Sequence, residues 1–239
     1  MIVDTTDINF LHSKTHIIKT WLKNFPISIR KNVKNILSID SENADLDLEI
    51  STYFKNCEKY YIVQSEYNSY KKSIDTLFGN FKFKISYSDI YDYELDPKTS
   101  YDIIIIFTKF NLDEDITSFV KKAFEFISTN GKIMIISCSH DKFVLESRIF
   151  FNLNFISDQE FIKNLDFKCR IFNTHVSTFL NINDLNKIEM LKLTNEKLDD
   201  DKIEEFKQFA LKKYGSSVCV PISLIILSKI KILEPKLIK

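Results

Sequence analysis

Four isoleucines in a row, Ile103 to Ile106, followed by Phe107, constrain this chain more than any other feature. The run is far too short to span a membrane and reads as the centre of a strand over Tyr101–Phe107. Successive side chains of a strand point to opposite faces, so an unbroken apolar run needs apolar cover on both sides. A parallel sheet with helices packed on each face provides that cover.

The neighbouring segments agree. Asn35 to Ile39 reads as a short buried strand, and Ala44 to Cys57 places Leu46, Ile50, Tyr53 and Phe54 on one helical face. Tyr60 to Val63 is a second strand. Ser65 is placed to cap a following helix whose stripe is Tyr67, Tyr70, Ile74, Leu77 and Phe78. Phe81, Phe83, Ile85 and Tyr87 alternate with polar residues, as on a half-exposed edge strand. Asp115 to Thr129 predicts a helix stopped by Asn130-Gly131, and Lys132 to Ser137 a fifth strand. Short connections and right-handed crossovers turn this order into a doubly wound parallel sheet.

The last hundred residues are less regular. A helix pair is expected over about 141–165, and a sixth strand from Phe167 to Phe172 that extends as far as Phe179. A helix follows over Asp199–Tyr214, with acids at its start and lysines at its end, then a strong strand over Cys219–Leu227. The expected fold is therefore α/β, Rossmann-like and doubly wound. Its seven-stranded sheet is mostly parallel, with a C-terminal antiparallel addition at one edge. An apolar helix over Asp7–Phe25, ended by Pro26, precedes the sheet. No linker or repeat divides residues 1–239, which are expected to form a single domain.

Lys+Arg and Asp+Glu each number 33, and this balance lacks the basic excess of a protein that grips nucleic-acid phosphates. Cys57, Cys138, Cys169 and Cys219 form no CxxC pair and read as free thiols. His12, His16, His140 and His175 stand apart without metal-binding spacing. With no signal peptide or membrane span read in the sequence, the expected location is the cytoplasm.

In an open parallel sheet, ligands bind beyond the carboxyl ends of the strands. That directs attention to the loops at Asp40 to Ala44, Gln64-Ser65, Ser88 to Tyr91 and Thr108 to Asn111. The first of these, within Ile36-Leu37-Ser38-Ile39-Asp40-Ser41-Glu42-Asn43-Ala44-Asp45-Leu46-Asp47, resembles the first cofactor motif of class I S-adenosylmethionine-dependent methyltransferases. More specifically, it resembles the histamine N-methyltransferase group. It continues in order through Ile62 to Ser65, Phe83 to Asp92, Tyr101 to Ile104, Asn130 to Ile136 and Ile222 to Ile226.

The resemblance implies methyl transfer from S-adenosylmethionine to a small molecule, with an amine nitrogen as acceptor. It places the cofactor against Ser38, Asp40, Glu42, Gln64, Asp89, Ile90 and Thr108, and the substrate near Phe10, His16, Trp21 and Cys219. Residues 1–30 would then form a helical lid, 31–140 the cofactor-binding core and 141–239 an elaboration. The family's loop carries glycine at three alternating positions, here Asp40, Glu42 and Ala44, so the glycine motif is degenerate. After the second strand the family has an acid for the ribose hydroxyls, here Gln64. Asp89 stands where an acid accepts from the adenine amino group. The segment between Trp21 and Val33 has no glutamate to anchor a histamine-like amine, and Cys219-Val220 replace a polar amide pair; both argue against histamine itself. In-line methyl displacement requires alignment more than an acid or base, so no catalytic residue is nominated. A second reading is an inactive methyltransferase-like scaffold that has lost the cofactor and serves a protein partner.

Overall fold

The computed structural model describes residues 18–19, 21–22, 30–42, 44–90, 92–107, 114–137, 141–153, 156, 158–165, 169–185 and 198–228. Strands β1 (Asn35–Ile39), β2 (Lys59–Gln64), β3 (Phe83–Tyr87), β4 (Tyr101–Phe107), β5 (Ile127–Ser137), β6 (Cys169–Asn181) and β7 (Ser217–Ser228) form one sheet. Helices α1 (Ala44–Tyr53), α2 (Tyr67–Leu77), α3 (Glu114–Phe126), α4 (Lys142–Phe150), α5 (Asp158–Leu165) and α6 (Asp200–Tyr214) connect them. The strand order is β3-β2-β1-β4-β5-β7-β6. β1 to β5 pair in parallel, while β7 is antiparallel to both β5 and β6. This is the expected Rossmann-like architecture, and its antiparallel addition inserts β7 between β5 and β6.

The isoleucine run behaves as its sequence requires. Ile103 and Ile105 enter the apolar layer beneath α1 and α6, with Leu46, Ile50, Ile203 and Phe206. Ile104 and Ile106 enter the opposite layer, with Phe119, Val120 and Ala123 of α3 and Phe161 and Leu165 of α5. None of the four is more than 2% exposed. Complete burial stabilises the fold by about 2 kcal/mol for each such side chain.

Several boundaries differ from the sequence reading. α3 ends at Phe126, and Ile127 already belongs to β5. The chain is extended through Asn130-Gly131, where the β4–β5 register shifts between Tyr101 and Ile103. A Cβ on Gly131 would meet Ile127 Cβ and the Ser128 backbone at 2.9 Å, so this glycine permits a close approach within the strand. Phe78 and Phe81, expected on a helix stripe and an edge strand, lie in the connection between α2 and β3, 88% and 98% exposed. The cap of α2 is Glu66, without a side-chain bond, where Ser65 was expected.

Candidate cofactor site

The strand order reverses between β1 and β4, so the crevice opens beside the loop that follows β1. In that loop Asp40 and Glu42 both adopt left-handed backbone, with φ of 53° and 56°. These are two of the three positions where the resembled family carries glycine. An L-residue resists this conformation by about 1 kcal/mol or somewhat more, aspartate less than most. Something local must therefore hold it.

Both ends of the loop are tied to β2. Asp40 N–H donates to the Val63 carbonyl at 2.9 Å, and Asp40 Oδ1 accepts from Ser65 N–H at 2.7 Å. Glu42 N–H donates to Gln64 Oε1 at 3.3 Å. Gln64 is wholly buried, and its Nε2 donates to Ser41 Oγ at 3.0 Å and Ser73 Oγ at 3.4 Å. The residue expected to face the ribose is thus turned inward and holds the loop.

Beneath the loop lies a buried acid. Asp47, in the first turn of α1, is fully buried and accepts from Ser41 Oγ at 2.5 Å and from the Tyr60 hydroxyl at 2.9 Å. Burial pushes its carboxyl up to about 6, against the opposing pull of the Ser41, Ser38 and Tyr60 hydroxyls. Burial, reinforced by the neighbouring Asp47 charge, raises the Tyr60 phenol well above its ordinary range, so it remains a donor. Ser38 Oγ is buried beside this carboxyl without closing a hydrogen bond of normal geometry, though it lies near enough to favour the ionised form. The sequence reading missed Ser41, Asp47, Tyr60 and Ser73. The signal lay in Asp47 itself, an acid three residues from Ile50 and so on the apolar face of α1.

The other expected residues are distributed as follows. Asp89 is exposed immediately after β3, and Ile90 beside it is buried. Ser88 N–H donates to the Gln64 carbonyl at 3.2 Å, bringing the ends of β2 and β3 together. Ser38, Asp40, Glu42, Gln64, Asp89 and Ile90 thus share the carboxyl edge of β1 to β3. Trp21 is half-buried against the layer that contains Ile50 and Phe206. β5 ends opposite Ser223, so the stretch of β7 carrying the exposed Cys219 runs past the carboxyl end of β5, on the site's side. Phe10, His16 and Thr108 lie outside the described residues.

A separate cleft of about 230 Å³ lies at the amino ends of β1, β4 and β5. Its acid, Asp102, is already engaged by Lys34 N–H, Asn35 N–H and the Ser128 hydroxyl at 2.7, 3.1 and 2.8 Å. Ligand chemistry is better sought at the opposite, carboxyl edge. No group of metal-ligating side chains occurs among the described residues. No described helix is long and apolar enough to cross a membrane.

Known structures extend this picture. No protein-family model matches the chain, and no curated protein matches its sequence. Among solved structures, YcgJ from Bacillus subtilis superposes with a TM-score of 0.60 at 13% identity, covering 90% of this chain and 99% of its own. The plantazolicin methyltransferase BpumL, in complex with S-adenosylhomocysteine, gives 0.53 at 15% identity, covering 95% and 86%. PigF with S-adenosylhomocysteine gives 0.52 at 13% identity, covering 89% of this chain and 54% of its own. The chain has the Rossmann-like fold of class I S-adenosylmethionine-dependent methyltransferases. At these identities the similarity defines the fold.

Proposed function

We propose that this chain binds S-adenosylmethionine along the carboxyl edge of β1 to β3 and transfers its methyl group to a small molecule, an amine nitrogen being the acceptor. The observation that carries this reading is the loop after β1. Its backbone keeps a left-handed shape at Asp40 and Glu42 although neither is glycine, and buried polar groups hold it there. A shape that opposes local preference is retained where it has a use. The amine acceptor follows from the resemblance to the histamine N-methyltransferase group, with histamine itself disfavoured.

The residues present fit the cofactor by their chemistry. The loop at 40–42 would receive the methionyl end, beside the amino end of α1, whose dipole favours a carboxylate. The carboxylate of Asp89 suits the adenine amino group, and Ile90 an apolar face of the base. The cofactor supplies a methyl group activated on a sulfonium. The protein's part is to align that methyl with the acceptor and to exclude water, work that calls for alignment more than for an acid or base.

The deciding experiment is titration calorimetry with S-adenosylmethionine and S-adenosylhomocysteine. Saturable one-site binding is expected. Neither heat nor a thermal shift at millimolar ligand would leave the scaffold reading and redirect the search to protein partners. Asp89→Ala is expected to weaken S-adenosylhomocysteine binding by about 1–3 kcal/mol, the cost of leaving the adenine amino group unpaired in the site. Unchanged affinity in that titration removes Asp89 from the site.

Glu42→Gly should raise stability by about 0.5–1 kcal/mol by relieving the left-handed backbone. It should also tighten binding, because a side chain and a like charge leave the neighbourhood of the cofactor's carboxylate. Thermal melts and calorimetry read both effects, and a loss of affinity would instead assign Glu42 to the cofactor's ammonium group.

A further inference from the structure

The hydrogen bonds beneath the loop have a fixed direction. Glu42 N–H can only donate, so the group it meets on Gln64 is the carbonyl Oε1. Nε2 then faces Ser41 Oγ and donates to it. Ser41 must send its own proton elsewhere, and it goes to Asp47 Oδ2. The chain of donors thus runs from the backbone of a left-handed residue, through two side chains, to a buried carboxylate. Each bond polarises the next.

We propose that Asp47 is the positioning residue of this loop: its ionised carboxylate is the acceptor end of the relay that keeps Glu42 left-handed and the loop shaped for the cofactor's methionyl end. The proposal rests on the cofactor reading above for its ligand, and on the relay alone for its mechanism. Protonating Asp47 Oδ2 makes it a donor to Ser41 Oγ. Ser41 then accepts twice, and its own hydroxyl proton loses its acceptor in a dry interior. The groups facing the carboxyl are Ser41 from the loop, Ser38 from β1 and Tyr60 from β2, and Tyr60 stays protonated. Glu49, two residues further along α1, is engaged separately by Lys19 at 2.8 Å. Asp47 is therefore the one group in the relay that titrates near neutrality, and its carboxyl is pushed up to about 6.

The test compares the native chain with Asp47→Asn, which keeps the shape and removes the titration. S-adenosylhomocysteine is titrated by calorimetry from pH 5 to 7.5, a range in which this ligand changes no charge. The native dissociation constant should rise about tenfold at pH 5, where only about a tenth of molecules keep the carboxylate. Asp47→Asn should bind more weakly at pH 7.5 and show no pH dependence. In parallel, amide hydrogen exchange at Glu42, corrected for intrinsic rate, needs no ligand. Native protection should fall below about pH 6, and Asp47→Asn should lack it throughout. A variant that retains the native pH slope, or native protection that ignores pH, overturns the proposal. If the native chain binds no S-adenosylhomocysteine, the cofactor reading fails, and exchange at Glu42 decides the relay on its own.

Discussion

Asp47→Asn is expected to gain stability over the native chain as the pH rises from about 4 to about 6. Burial raises the folded carboxyl from its ordinary 3.8 to about 6. Between those values the folded chain holds a proton that the unfolded chain has released. The native carboxyl's contribution is therefore fully present below 3.8 and is lost as the pH climbs through about 6. Asparagine does not titrate, so the difference between the two proteins opens across that window and stays constant above it. Its size is about 3 kcal/mol, given about 1.4 kcal/mol for each pH unit of displacement. Denaturant unfolding at pH 4, 5, 6 and 7 measures it directly, and a difference that stays level would show that the buried carboxyl is not strained. Combined with weaker cofactor binding, the variant would be a sturdier protein with a poorer site, the exchange expected where a group is kept for function.

Phe206→Ala should lower the unfolding free energy by about 3–5 kcal/mol, the usual consequence of emptying a large aromatic site in a core. Phe206 is 1% exposed on the inner face of α6. Its ring centroid lies 5.7 Å from Phe143, 5.3 Å from Phe150, 5.2 Å from Phe151 and 6.1 Å from Phe209. Those rings come from α4, from the turn after it and from α6, so one side chain joins elements far apart in sequence. Phe206→Leu, which refills most of the volume, should recover more than half of the loss. Urea titration of the three proteins checks the order. A loss below about 1 kcal/mol in the alanine variant would mean that the cluster collapses around the gap.

These two residues show what the sequence discloses and what it withholds. The apolar run at Ile103–Phe107 fixes a buried parallel strand, because its pattern leaves no face for water. β1 and β4 are found where expected, and β2, β6 and β7 within a few residues. Phe206 sits on a regular helical stripe with Ile203 and Ala210 and belongs to the same legible class. The boundary at Phe126/Ile127 was not legible, since Ile127 suits a helix face and a strand equally well, and the register shift depends on contacts with Tyr101. Exposure of Phe78 and Phe81 was hidden for a similar reason, because an aromatic in a stripe looks like core until the turn is placed. That the candidate residues lie on the carboxyl edge could be read from the strand ends alone. Gln64's inward turn could not, because its partners Ser41 and Ser73 lie in separate segments and meet only when α1 and α2 have packed.

The insertion of β7 between β5 and β6 has a consequence for biosynthesis. Met134, Ile135 and Ile136 are fully buried, and the outer side of β5 is satisfied by pairing with Ile226, Ile225 and Leu224. As the nascent chain leaves the ribosome, β1 to β5 emerge well before this partner exists. During that interval the half-made sheet presents an apolar strand with open hydrogen-bonding groups, a template for pairing with a neighbouring polypeptide. A chain truncated ahead of Ser217 would keep that edge of β5 open and is therefore expected to be prone to aggregate.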